Sequence, residues 1–477
     1  MPFLNKKIMN QNNNSRRKFI GQVSCAALGY TTFRNSMINL QAINALAAAN
    51  SALDPEYKAL VCINLSGGND SFNMLVPSSN SEYNTYKKTR ANLAIPKNEL
   101  LNLSVMNTPG REFGLHPAME GLQKIFNQGN AAFISNIGTL LEKTTKDDFY
   151  NNKVKLPLGL LSHSDQSQHW QSGIPQSRSN IGWAGRMADL IRDMNNSQEI
   201  SMNVSLSGSN LLQTGNEVVE YVIDRRNGSI GINGYRPDNM YDQFNIVKSG
   251  AIDSLLDYNY RDIFQKTYTE VIRGARDGHL KFKEALDNGV EIRTQFSDNE
   301  FSESLKMIAR TISVHQKLGF KRQIFYINFY GWDHHDEVLQ NQQDMLTMVS
   351  DGLEEFNNAM NELKLSKQVT TFSISEFGRS LPSNGNGTDH AWGGNVFVMG
   401  GDVIGSRIFG TYPSLDLEDD LNVYDGVIIP TTSVDQYFGE LALWMGVKPS
   451  DLSYVLPNLS TFYNINSGKA PLGFLNI

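Results

Sequence analysis

The sequence predicts an α/β protein built on a doubly wound, mostly parallel sheet flanked by helices. Two observations carry that expectation: short apolar runs that are nearly continuous rather than alternating, and helical stretches interleaved with them. The first run, Ala59 to Leu65, ends in Ser66-Gly67-Gly68-Asn69-Asp70. A run without alternating polar positions suits a strand buried on both faces of a parallel sheet. Comparable runs follow at Ala131 to Ile137, Gln323 to Tyr330, Val369 to Ile374 and Val396 to Met399. Between them lie helical stretches such as Pro117 to Asn127 and Asn341 to Leu365. Alternation of this kind indicates helices layered on a mostly parallel sheet. Residues 196–321 differ, with a polar, Asn/Gly/Asp-rich part to Gly250 and helical periodicity from Ala251 to His315. They read as an insertion or helical cap on a domain running from 48 to 477.

Composition bounds the function. The chain has 477 residues, 40% of them hydrophobic and 10% aromatic, which is enough for a sizeable core and argues against disorder. Lys and Arg number 42 against 49 Asp and Glu, a net charge of −7. Every charged residue among the first 47 is basic: Lys6, Lys7, Arg16, Arg17, Lys18 and Arg34. The remainder holds 36 basic and 49 acidic residues, a net charge of −13. A body this acidic, with no basic stripe, argues against nucleic acid as a partner. Two cysteines, Cys25 and Cys62, supply neither a disulfide framework nor a cysteine zinc site.

Residues 1–47 read as an address. Ser15-Arg16-Arg17-Lys18-Phe19-Ile20 leads into a mildly apolar run from Ile20 to Phe33, and Ala45-Leu46-Ala47 offers small residues for cleavage. This order resembles a twin-arginine signal peptide, whose partner is the twin-arginine export machinery. A solvated basic tail is the plainer reading, and lipidation at Cys25 is another. No later stretch approaches the roughly 18 apolar residues of a membrane span. The expectation is a protein exported to the periplasm or cell surface, with no stable span after processing.

The chemistry gathers where the strands end. Ligands of open α/β sheets bind beyond the carboxyl ends of the strands. Asp70 follows the first run, Gly331-Trp332-Asp333-His334-His335-Asp336 follows Gln323 to Tyr330, and Ser375-Glu376-Phe377-Gly378-Arg379 follows Val369 to Ile374. Three distant segments therefore bring carboxylates and imidazoles to one edge. Asp333-x-His335 sets two donors on one side of an extended segment, and Gly387-Thr388-Asp389-His390 supplies another pair. Oxygen and nitrogen donors without thiolate suit a divalent ion: zinc, manganese, magnesium or calcium. Two such ions a few ångströms apart polarise an ester oxygen and activate a nucleophile. Plainer roles stand beside these: Asp70 as a turn former, His334-His335 as a surface pair, Asp389 fixing a turn, Glu376 paired with Arg379.

Seven motifs then occur in one order: Ser66-Gly67-Gly68-Asn69-Asp70, Leu115-His116-Pro117-Ala118, Ser162-His163, Gly182-Trp183-Ala184-Gly185-Arg186, Gly331-Trp332-Asp333-x-His335, Ser375-Glu376-Phe377-Gly378-Arg379 and Gly387-Thr388-Asp389-His390. With them the chain resembles a bacterial family of unknown function, exported by the twin-arginine route, within the alkaline phosphatase and sulfatase superfamily. The resemblance implies an alkaline phosphatase-like core with two adjacent divalent metals. It also implies hydrolysis of a small anionic phosphate or sulfate ester through a Ser, Thr or modified Cys nucleophile. By position it implies Asp70, Asp333, His335, Glu376 and His390 as metal ligands, to which the residue pattern adds Asp389. Ser162 is the nucleophile it suggests, with His163 to position it or protonate a leaving group and Arg379 to neutralise the ester. The plain role for Ser162 is to cap a helix beginning near Asp165. The chain departs from the superfamily in three ways. Asp333 and His335 are unusually close, Phe377 stands where His often follows the acid, and Cys62 lies inside the first run rather than in a sulfatase motif. Two alternatives stay open: a non-catalytic exported binding or surface-assembly protein that keeps the fold, and a metal hydrolase that uses water.

Overall fold

Lys58–Ser66 is the central strand, and its residues Ala59–Ile63 are fully buried. It is the first long element of a computed structural model that describes residues 57–239 and 241–477. The signal-like segment 1–47, with Arg16, Arg17 and Cys25, lies outside the described residues. Arg322–Tyr330 and Val369–Ile374 flank the central strand, both parallel to it. Coverage on both faces is why the run does not alternate. Each fully buried Leu, Val or Ile contributes about 1.5–3 kcal/mol relative to exposure.

Among the described residues, ten strands form the main sheet. On one side, Arg322–Tyr330 pairs with Asn203–Ser205 and that with Tyr221–Asp224, both parallel. On the other, Val369–Ile374 pairs antiparallel with Gly394–Gly400, which pairs antiparallel with Ala131–Gly138. Arg407–Gly410 and Thr432–Ser433 lie parallel to Ala131–Gly138. The sheet is thus mostly parallel and flanked by helices, as the sequence predicts. The antiparallel Gly394–Gly400 strand runs back from the Glu376 to Trp392 loop, so that loop begins and ends at the edge where the central strands finish.

Residues 196–321 divide by role. Asn203–Ser205 and Tyr221–Asp224 extend the sheet, and helix Glu300–Ser313 packs on helix Val338–Glu362. Helices Gln243–Asp257 and Ile263–Asp287 pack on one another and expose Phe244, Val247, Phe264, Tyr268 and Val271. The strands and helix Glu300–Ser313 of this stretch belong to the sheet and core. Among the described residues, no helix is long and apolar enough to cross a membrane.

Candidate metal centre

Three parallel strands ending side by side deliver the site. Ser66 pairs with Tyr330 and Asn64 with Ile374 in register, so the turns after them meet. The Gly67 amide donates to Glu376 Oε1 (2.9 Å), and the Trp332 amide donates to the Ser66 carbonyl (3.1 Å). Gly67 has φ +123°, and a Cβ there would stand 2.4 Å from the Asp333 nitrogen. Gly68, at φ +90°, would drive a Cβ to 2.3 Å from the Phe377 ring. Both conditions select glycine. The Glu376 to Trp392 loop folds back on itself: Arg379 and His390 form an antiparallel bridge, and Gly378 and Trp392 exchange a further backbone bond. This hairpin sets His390 over Phe377, with ring centroids 4.6 Å apart and stacked.

Asp333 is the hub. Its Oδ1 lies 3.1 Å from His335 Nε2, 3.3 Å from His390 Nε2 and 2.9 Å from Arg379 Nη1. Its Oδ2 lies 3.3 Å from His163 Nε2. His335 Nε2 and His390 Nε2 are themselves 3.0 Å apart. Burial by itself raises the Asp333 pKa; the Arg379 guanidinium and the nearby imidazoles outweigh it and hold the carboxyl below its usual range. The His390 pKa is lowered, chiefly by burial, which keeps that ring neutral and able to act as a ligand.

The far side of each imidazole fixes its tautomer. His163 Nδ1 faces Glu376 Oε1 (3.2 Å), His335 Nδ1 faces Asp389 Oδ1 (3.1 Å), and His390 Nδ1 faces the Leu161 carbonyl (2.9 Å). Carboxylate and carbonyl oxygens only accept, so a neutral ring that carries its proton on Nδ1 satisfies these contacts and leaves its Nε2 lone pair for a metal. All three lone pairs converge on the Asp333 carboxylate, and one atom each of His163, Asp333 and His390 falls within 4.8 Å of the others. Three carboxylates, Asp333, Glu376 and Asp389, stand around the Arg379 guanidinium and the imidazoles. Three Nε2 atoms within 3.3 Å of one carboxylate suit a cation held between them. Imidazoles whose other nitrogen is held by a carboxylate or carbonyl are the usual metal-ligand arrangement.

The remaining candidate residues make contacts of their own. Asp70 is fully buried and its Oδ2 is paired with Arg90, also fully buried; its Oδ1 has no protein partner. Arg379 is fully buried and donates to Thr388 Oγ1 as well as to Asp333. Ser162 is the residue before helix His163–Ser172, and its Oγ lies 3.1 Å from Ser164 Oγ. Asp165, whose pKa is pulled down first by Arg178, also takes a hydrogen bond from Ser162. Two motifs serve the core: buried His116 accepts from the Ala118 amide (3.1 Å), and Arg186 donates to the Val455 and Ile181 carbonyls. Arg90, Leu161 and Thr388 are contributors that sequence reasoning misses. A carbonyl or a guanidinium arriving from another helix leaves no local pattern.

Fold and centre together define an α/β chain with a His/Asp pocket suited to a metal at the carboxyl edge of its sheet. Residues 277–428 match the model of a family described as a protein of unknown function (DUF1501). No curated protein matches the chain in sequence. Among solved structures it is similar to Ps i-CgsB, at 9% identity and TM-score 0.33, over 86% of this chain and 77% of that one. It is also similar to wild type alkaline phosphatase PafA, at 10% identity and TM-score 0.30, over 68% of this chain and 64% of that one. A third is the PsFucS1 sulfatase from Pseudoalteromonas sp., at 6% identity and TM-score 0.31, over 83% and 77%.

Proposed function

We propose that the chain is an exported, metal-dependent hydrolase of a phosphate or sulfate ester. The observation that carries this reading is the convergence of the His163, His335 and His390 Nε2 lone pairs on the Asp333 carboxylate. Three imidazoles with one carboxylate favour zinc among the four candidate metals, since magnesium and calcium prefer all-oxygen sites. A divalent ion held there supplies Lewis-acid polarisation of an ester oxygen and a water acidified enough to attack at neutral pH. Side chains of His163, His335 and Asp333 are 38%, 45% and 44% exposed, so a small ester reaches them. A divalent ion there offsets the carboxylates of Asp333, Glu376 and Asp389, which lessens the close-range repulsion of an anionic substrate.

Water suits the geometry better than Ser162 as nucleophile. The Ser162 hydroxyl bonds Ser164 and Asp165, and neither is the imidazole base that activates a serine. A non-catalytic binding role is the second reading, favoured because Nε and Nη1 of the buried Arg379 already donate to Thr388 and Asp333, which leaves only Nη2 without a protein partner. The test is hydrolysis of 4-nitrophenyl phosphate and 4-nitrophenyl sulfate by zinc-loaded protein. Asp333→Ala is expected to lower turnover by more than about 100-fold, the upper end of what an outer-shell partner costs. Ser162→Ala is expected to stay within a few-fold of the parent. No turnover of either ester class by loaded protein contradicts the hydrolase reading and favours binding.

A further inference from the structure

We infer that the centre takes one divalent ion rather than two, with His163 among its ligands and the Arg90 guanidinium standing where a second cation is expected. This rests on the metal reading above and sharpens it. The family resemblance implies two adjacent metals with Asp70 and Glu376 in the ligand set, to which the residue pattern adds Asp389, and the residues do not fit that. Asp70 already neutralises a cation: Arg90 is fully buried and pairs with its Oδ2. That guanidinium is held in place by Asn73 Oδ1 (3.1 Å) and by the Ser380 (3.0 Å) and Leu381 (2.9 Å) carbonyls. It is therefore not free to swing away. A divalent ion on Asp70 would sit against a fixed positive charge, in a buried setting where such repulsion is poorly screened. The open Oδ1 of Asp70 suits a neutral partner such as water better.

One oxygen each of Glu376 and Asp389 is used as well, while Glu376 Oε2 is buried without a protein partner. Glu376 Oε1 accepts from the Gly67 amide and His163 Nδ1, while Asp389 Oδ1 accepts from His335 Nδ1 and Asn384 Nδ2. Both carboxylates orient imidazoles, the outer-shell role that fixes ring direction. Four donors remain: the Nε2 atoms of His163, His335 and His390, and the Asp333 carboxylate. They come from three separate segments: one atom each of His163, Asp333 and His390 falls within 4.8 Å of the others, and His335 Nε2 lies 3.1 Å from Asp333 Oδ1 and 3.0 Å from His390 Nε2, which gives the count a four-coordinate zinc site needs. His163 thereby moves from proton donor to ligand.

The experiment is a Co²⁺ titration of chelator-treated full-length protein, following visible absorption and calorimetric stoichiometry, with Mn²⁺ loading read by electron paramagnetic resonance. One Co²⁺ per chain and an uncoupled Mn²⁺ signal are expected. His163→Gln, at a half-buried position, and His335→Gln, at an exposed one, are each expected to weaken Co²⁺ binding by more than tenfold and alter its spectrum. Two ions per chain, a spin-coupled Mn²⁺ pair, or a His163→Gln variant with unchanged affinity and spectrum would overturn the inference while leaving a hydrolase possible. One ion per chain without ester turnover removes the hydrolase and leaves the inference standing. No bound Co²⁺ overturns both.

Discussion

Asp333 concentrates the chemistry because four groups aim at its two oxygens: Arg379, His163, His335 and His390. Its place was legible in the sequence, as were those of Glu376 and His335, since each follows an apolar run that ends at one edge. His390 was legible from its Gly-rich motif. The ligand role of His163 was not: it shares a motif with a serine, and sequence gives no ring orientation. The confinement of Asp70 by Arg90 was equally hidden, because its partner sits twenty residues on in helix Asn80–Arg90. Glycine positions are more transparent. Gly67→Ala meets both a positive φ and the Asp333 backbone, and strained residues of this kind cost about 1–3 kcal/mol. The variant is expected to melt lower by thermal denaturation and to bind zinc more weakly, since the displaced atom belongs to Asp333. Unchanged melting and affinity would mean that the turn relaxes without moving the hub.

At the scale of elements, the apolar runs map closely onto strands: Val369 to Ile374 is a strand end to end, and Ala131 to Ile137 is extended by one residue. Strand direction was beyond reach, because a buried run reads alike in both senses, and the antiparallel Gly394–Gly400 strand is the case in point. Helix Val434–Met445 carries a testable electrostatic feature in its first turn. Burial pushes the Asp435 carboxyl up to about 7, against bonds from Ser433 that pull it down, and its Oδ1 has no partner. For an acid whose folded pKa is raised, the folded chain keeps its proton longer than the unfolded one. Stability is therefore fullest below the unfolded pKa of about 4 and is lost as pH rises to about 7. Asp435→Asn is expected to match the parent at pH 4 and to exceed it at pH 8, by up to about 4 kcal/mol. Denaturant melts at the two pH values check this. Equal stability at pH 8 would mean that the helix N-terminus already stabilises the carboxylate.

For the whole molecule, charge and topology act together. The chain carries a net charge of −7, which draws divalent cations and opposes anionic esters at long range. At the sheet edge that acidity meets imidazoles aimed by carboxylates and a carbonyl. The fold class was legible because burial of a parallel sheet leaves unbroken apolar runs. The grouping of ligands was not, because it depends on how the Glu376 to Trp392 loop folds back. One measurement reaches the centre directly: zinc K-edge X-ray absorption of the native chain, purified without chelator, alongside elemental analysis. The account predicts one zinc per chain, a first shell of three imidazole nitrogens and one carboxylate oxygen at about 2.0–2.2 Å, and no metal–metal vector. Absent zinc after loading, or a shell with fewer than two imidazoles, would contradict it.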